Sequence, residues 1–233
     1  MALYILTGTH YNANEASSFP IMKRASSKIA VIDYGMGNLL SVAKALESIG
    51  CSVTVTADPA MLETSDGLVL PGVGSFKDCM DNLVRKQLVE PIKQFVASGR
   101  PFLGICLGLQ VLFSESLEFG HTKGLDIIPG RVAPFPAGSG VKIPHMGWNS
   151  VHILGETPIL RGIPDNSYFY FVHSYCVVPD SEKLIATSTD YGGEFVSSIR
   201  KDNVFACQFH PEKSQRLGLQ LLKNFHEVTQ NAC

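Results

Sequence analysis

From Lys28 to about residue 125, short apolar runs alternate with stretches whose apolar residues recur at helical spacing, a pattern that belongs to a βα array. "KIAVID" (28–33) reads as a buried strand, followed by the glycine loop "YGMGN". "LLSVAKALESI" then reads as a helix, with Asn38 as its N-cap and Gly50 just beyond its end. "SVTVT" (52–56) and "GLVLP" (67–71) supply two more strands, and helices over 76–88 and 90–98 lead through Gly99 into "PFLGI" (101–105). The expected fold class is therefore α/β, with a central, mostly parallel sheet flanked by helices.

Beyond residue 125 the pattern changes to short β-rich pieces, "GRVAPF", "NSVHIL", "YFYFVHSYCVV", "KLIATS", "FVSSIRK" and "VFACQF", which predicts an antiparallel extension. "SQRLGLQLLKNFHEV" closes the pattern as a helix with Ser214 as N-cap and an apolar face through Leu217, Leu221, Leu222 and Phe225. No repeat, low-complexity block or linker divides the chain, so residues 28–230 are expected to form one domain. Residues 1–27 are rich in Ser, Asn and Thr and make a poor signal or transit peptide; the expectation is a disordered extension, with Met22 an alternative initiator.

Composition excludes several roles. A formal net charge of -2 and a pI near 6.4 give no overall basic field for nucleic acid or an anionic membrane. No apolar run approaches the roughly 20 residues that span a bilayer. Six cysteines, at 51, 79, 106, 176, 207 and 233, form no CxxC pair and no zinc-site spacing with histidine. A chain with a core of this size does not depend on disulfide staples, which points to a reducing cytosol. No metal or cofactor is expected.

One of those cysteines has unusual neighbours. In "GICLGLQ" (104–110), Cys106 stands between glycines, after an apolar strand and before the apolar segment "LQVLF", expected to be helical. Strand, Gly-x-Cys-x-Gly, helix is the pattern of a nucleophile elbow, a turn so sharp that flanking Cβ atoms would clash. A core thiol in a glycine-punctuated turn is the competing reading, so a partner base is the test. "ACQFHPE" (206–212) supplies one: in an extended segment His210 and Glu212 point to the same side, so the carboxylate can orient the imidazole. An ordinary strand end whose proline starts a turn is the alternative for "HPE". The other histidines have weaker claims: His121 and His152 read as surface positions, and His226 lies on the last helix.

A third segment, "LVLPGVGSF" (68–76), runs a buried strand into a loop with two glycines. Such a loop can turn backbone N–H groups toward a developing oxyanion, with the Leu107 N–H as a second donor. A phosphate cradle is the rival, but no GxxxxGK[ST] pattern is present.

These pieces, in this order, resemble the class I (triad) glutamine amidotransferases over essentially the whole chain from Lys28 to about Phe225. More narrowly, "DYGMGNLLSV", "PGVGSF", "GICLGLQ", "PHMGWN", "FYFVHSY" and "FHPEKSQ" are similar to glutaminase subunits of imidazole glycerol phosphate synthases. Sister glutaminases usually carry histidine where this chain has Leu109. The resemblance implies hydrolysis of L-glutamine to L-glutamate and ammonia through a thioester on Cys106, with His210 and Glu212 completing the triad. It implies Gly72, Val73, Gly74 and Leu107 as the oxyanion segment, and Gln110, Glu118, Ser174 and Tyr175 around the amino-acid part of glutamine. It further implies a heterodimer in which Met36, Asn38, Met146, Trp148, Tyr170 and Lys213 face a (β/α)8-barrel cyclase that receives the ammonia. In that family glutaminase activity stays low until the cyclase binds its ligand, and a peptide rotation in "PGVG" would supply the switch. Another amidotransferase subunit with a different acceptor, and a non-catalytic scaffold that keeps the fold, are the rival assignments.

Overall fold

The computed structural model describes residues 27–135 and 140–232. The expected disordered extension, residues 1–27, lies outside the described residues except for Ser27. That residue is buried, and its hydroxyl bonds His226 Nδ1 at 2.9 Å and Thr229 Oγ1 at 2.8 Å, so the folded part already includes it.

The first half is the expected βα array. Strands β1 (Lys28–Ile32), β2 (Ser52–Thr56), β3 (Gly67–Gly72) and β4 (Phe102–Cys106) run parallel in the order β2-β1-β3-β4. Helix α1 (Leu39–Ser48) starts at Asn38, whose side chain accepts from the Ser41 amide. A short helix that the sequence reading lacks, α2 (Pro59–Glu63), is capped by Asp58 with Pro59 in its first turn. Helices α3 (Phe76–Arg85) and α4 (Val89–Ala97) follow, α3 capped by Ser75.

The strand pleat divides the interior in two. Along β1, Ala30 and Ile32 join Leu68, Leu70 and Phe102 in a core under α3 and α4. Ile29 and Val31 join Val69, Leu103 and Ile105 on the opposite face. That second face is closed by α1 and by α6 (Gln215–Asn231), through Leu221, Leu222 and Phe225.

One expected element is shorter than its pattern. The apolar segment after Cys106 is a single helical turn, α5 (Leu107–Gln110), and Phe113 already belongs to β5 (Phe113–Ser116). "LQVLF" is apolar at nearly every position, and such a run suits a buried strand as well as a buried helix.

In the second half, β6 (Thr122–Lys123), β7 (Ile128–Pro134), β8 (His145–Ile153) and β9 (Ser167–His173) precede β10 (Tyr175–Pro179), β11 (Ile185–Asp190), β12 (Glu194–Lys201) and β13 (Val204–Cys207). The sheet continues as β4-β13-β12-β10-β7-β5-β6, and β11 links β12 to the β8–β9 hairpin. "YFYFVHSYCVV" is thus two strands with different partners, broken at Ser174. Strand β13 is parallel to β4 although its other neighbour, β12, is antiparallel to it. No helix among the described residues is long and apolar enough to cross a membrane.

Candidate active site

Three strand ends meet at the carboxyl edge of the parallel sheet, where α/β folds place their ligands. Gly72 pairs with Cys106 between β3 and β4, and Ile105 pairs with Cys207 between β4 and β13. The chain then leaves β13 through Gln208 and Phe209 to His210, so the expected base and nucleophile come from adjacent strands.

Cys106 adopts φ 55 and ψ -109, the left-handed region that a side chain enters only at a cost of about 1–3 kcal/mol. The neighbouring glycines permit it. A Cβ at Gly108 would overlap the Leu70 carbonyl, and one at Gly104 would sit 2.6 Å from the Gly108 carbonyl oxygen. The turn lifts the thiol, 6% exposed, to the floor of a cavity of about 500 Å³. In this geometry Sγ lies 3.8 Å from the Val172 carbonyl oxygen and 3.6 Å from Gln208 Nε2.

His210 Nδ1 lies 2.8 Å from Glu212 Oε1, with both side chains almost fully enclosed. The turn that carries them, Pro211–Lys213, is pinned to β9. The His210 amide donates to Tyr170 O at 2.9 Å, and Ser214 Oγ donates to His210 O at 2.7 Å while accepting from the Tyr170 amide at 3.0 Å. Ser214 therefore ties His210 to the sheet and makes no side-chain cap for α6, the role its position suggests. Burial works against a charged His210, but Cys106 and Glu212 outweigh it and hold the imidazole pKa up at about 9. With Nδ1–H committed to Glu212, Nε2 is left without a hydrogen-bond partner and within electrostatic reach of the sulfur.

Of the oxyanion segment, Val73 and Gly74 line the cavity with Cys106 and Leu107. Gly72 lies behind them, beside His210 and Glu212. A Cβ at Gly72 would stand 2.7 Å from the Leu107 Cβ, and Gly74, at φ +96, sits over the Met36 methyl. All four residues expected to hold glutamine line the same cavity. Gln110 Nε2 is bonded to Tyr175 O at 3.1 Å, and Glu118 Oε2 accepts the Phe76 amide at 2.6 Å, at the start of α3. Phe119, Pro144, Val172 and His173 also line it and were not read from the sequence. Gln208 was missed as well, although the two-residue period that aligns Glu212 with His210 extends back to it.

The partner-facing set is more scattered. Met146 and Trp148 are 62% and 45% exposed on β8, and Trp148 packs edge-on against Tyr170, its partner across the hairpin. Lys213 Nζ stands 5.8 Å over the Tyr170 ring. Met36 is half-buried beneath Gly74, and Asn38 caps α1 and borders the space beside His210.

Residues 30–228 match the family described as glutamine amidotransferase class-I. The chain is 56% identical over 205 residues to the imidazole glycerol phosphate synthase subunit HisH of Syntrophotalea carbinolica, covering 86% of this chain and all of that one. It is 54% identical to the HisH subunit of Aquifex aeolicus, over 85% of this chain and 95% of the relative. Among solved structures, PurLQS of Thermotoga maritima superposes with a TM-score of 0.68 at 17% identity, covering 89% of this chain and 99% of that one. A glutamine amidotransferase of the same organism superposes with a TM-score of 0.58 at 16% identity, covering 83% and 79%. At such identities the structural likeness speaks to the fold.

Proposed function

The chain belongs to the class I glutamine amidotransferases and, within them, to the HisH subunits of imidazole glycerol phosphate synthase, and from that premise we propose how its own residues perform the reaction. It is the glutaminase subunit of that synthase, in histidine biosynthesis. Cys106 is the nucleophile. The proton that Cys106 gives up rests on His210 Nε2, which the raised pKa of the imidazole favours, and the sulfur then attacks the carboxamide carbon of glutamine while the oxyanion forms against backbone amides of the 72–74 segment and Leu107. His210 returns the proton to the leaving nitrogen, releasing ammonia and a γ-glutamyl thioester. A water molecule, deprotonated by His210, then attacks the thioester and frees glutamate.

The carrying observation is the buried His210–Glu212 pair, whose only unpaired ring nitrogen lies within reach of a thiol held at positive φ on the floor of a cavity. Glu212 keeps Nδ1 protonated and so leaves Nε2 to do the proton transfer. Glu118 suits the α-ammonium of glutamine, and the Ser174–Tyr175 segment its α-carboxylate.

The ammonia acceptor belongs to a cyclase subunit, which we take to be a (β/α)8 barrel docking on the face with Met146, Trp148, Tyr170 and Lys213. Exposed aromatic and methionine side chains next to the active-site turn support that face. A peptide rotation at Gly74, whose φ of +96 suits glycine, would couple docking to the oxyanion segment. Cytoplasmic placement is part of the same proposal.

Glutamate release by Cys106→Ala, assayed with and without the cyclase and its ribotide substrate, tests the reading. Loss of at least about 1,000-fold in kcat is expected for removal of a triad nucleophile. Retained activity would remove Cys106 from its role, and a wild-type rate unchanged by the cyclase would remove the coupling.

A further inference from the structure

We infer that Gln208 is a further catalytic residue, an N–H donor to the Cys106 sulfur whose amide is fixed in that orientation by a chain of hydrogen bonds running back to β8. The inference rests on Cys106 being the nucleophile.

Gln208 is fully buried, and its Nε2 lies 3.6 Å from Sγ. Amide nitrogen and oxygen look alike by shape, so the assignment must come from the neighbours. Gln110 Nε2 lies 3.1 Å from the Tyr175 carbonyl oxygen, which can only accept; the nitrogen end of Gln110 therefore faces that carbonyl. The same nitrogen lies 3.0 Å from the Gln208 side chain, which must present its oxygen there. The remaining end of Gln208, its NH2 group, is thereby directed at sulfur.

The Tyr175 carbonyl is held in turn. His173 Nδ1 lies 2.9 Å from it and must carry hydrogen, leaving Nε2 of the neutral ring as an acceptor for His145 Nδ1–H at 2.9 Å. His145 Nε2 then accepts from Asn149 Nδ2 at 3.3 Å. The nitrogen end of Asn149 is fixed because it also donates to Asp190 O at 2.8 Å, while its oxygen accepts the Ser150 amide at 2.8 Å. Burial pushes both histidines down, to about 4 for His145 and about 3 for His173, so both stay neutral at physiological pH, as the chain requires. Every donor in the sequence Asn149, His145, His173, Gln110, Gln208 meets an acceptor, and the chain ends on the reacting atom.

Chemically, the Gln208 N–H favours negative charge on sulfur before attack and again when the thioester breaks. Its fixed position also holds Sγ in one rotamer over the cavity floor. The donor transfers no proton, so His210 keeps that role.

The test compares Gln208→Leu, Gln208→Glu and Cys106→Ala with wild type, in the complex with the cyclase and its ribotide ligand. Gln208→Glu keeps an oxygen for Gln110 but faces sulfur with an acceptor. We expect both Gln208 variants to lose about 10- to 100-fold in kcat, the range for a lost hydrogen bond to a charged group, with KM for glutamine within about 3-fold. Iodoacetamide alkylation of Cys106 at pH 7 should slow in both, more in Gln208→Glu. If Gln208→Leu fails to fold, judged by its thermal transition, the near-isosteric Gln208→Glu carries the test. Wild-type kcat and alkylation rates in a folded Gln208 variant would overturn the inference while leaving the nucleophile intact. Glutaminase activity surviving in Cys106→Ala would instead overturn the reading beneath it.

Discussion

His210 Nδ1 and Glu212 Oε1 meet at 2.8 Å with side chains only 3% and 1% exposed, so neither group has water to fall back on. Cys106 and Glu212 hold the imidazole charged against its burial, and removing the carboxylate leaves that ring in a low-dielectric site with one partner fewer.

Glu212→Gln should therefore lower the His210 pKa from about 9, because burial then acts with only Cys106 opposing it. The sign of the stability effect follows. A histidine whose folded pKa is raised contributes stability that is full below the unfolded value of about 6.5 and is lost as pH rises through about 9. Wild type should lose on the order of 3 kcal/mol from this group across that window, and the variant markedly less. Urea midpoints at pH 6 and pH 9.5 measure it, and an NMR titration of His210 reads the shift directly. We also expect kcat to fall by about 100-fold or more, through loss of imidazole orientation.

His145 and His173 carry the opposite sign. Their folded pKa values, about 4 and about 3, lie below the unfolded value, so the stability they contribute is present above pH 6.5 and lost as pH falls through their folded values. The protein should weaken steeply between pH 6.5 and 4. His145→Phe, which keeps the stacking with Tyr191 and Phe171, should lose less on acidification even if it is less stable at pH 7. Equal losses in the two proteins would show that other groups dominate acid unfolding.

Gly108→Ala tests the elbow itself. The new methyl would run into the Leu70 carbonyl, and β3 cannot yield without moving Gly72 and the segment beyond it. We expect destabilisation by about 3 kcal/mol, with loss of activity. A variant with wild-type stability by urea unfolding would mean that the strand end moves freely.

Trp148→Ala should weaken binding to the cyclase by about 2 kcal/mol, roughly 30-fold in Kd, while leaving the thermal transition of the free chain within a degree or two. Titration calorimetry of the two subunits measures the first quantity and differential scanning calorimetry the second.

The central strands β1, β3 and β4 were legible as short apolar runs buried along almost their whole length, the edge strand β2 as an alternating β-branched run, and the triad because one motif lies at the end of β4 and the other just past β13. The break at Ser174 was not legible. "YFYFVHSYCVV" keeps its apolar character across a residue that changes sheet partners, and pairing is decided by strands far away in sequence. The single turn of α5 was likewise hidden, since "LQVLF" fits a helix or a buried strand. Gln208 escaped for another reason: a glutamine gives no chemical signal until its neighbours show which end of its amide points where. The short α2, marked by "DPAMLE" with Asp58 as cap and Pro59 after it, was readable and was missed.

The place of β13 in the sheet also bears on how the molecule is made. Gln208 and Cys106 are 102 residues apart in sequence, yet β13 inserts between β4 and β12 and completes the edge that β4 would otherwise expose. A nascent chain leaving the ribosome can assemble β1 to β4 early, but that edge stays open, with Leu103 and Ile105 beside it, until the last strand arrives. The hydrolytic centre is thus timed by translation. A chain that stops short of His210 cannot spend glutamine, and the interval before β13 docks is when the protein most needs protection from edge-to-edge aggregation.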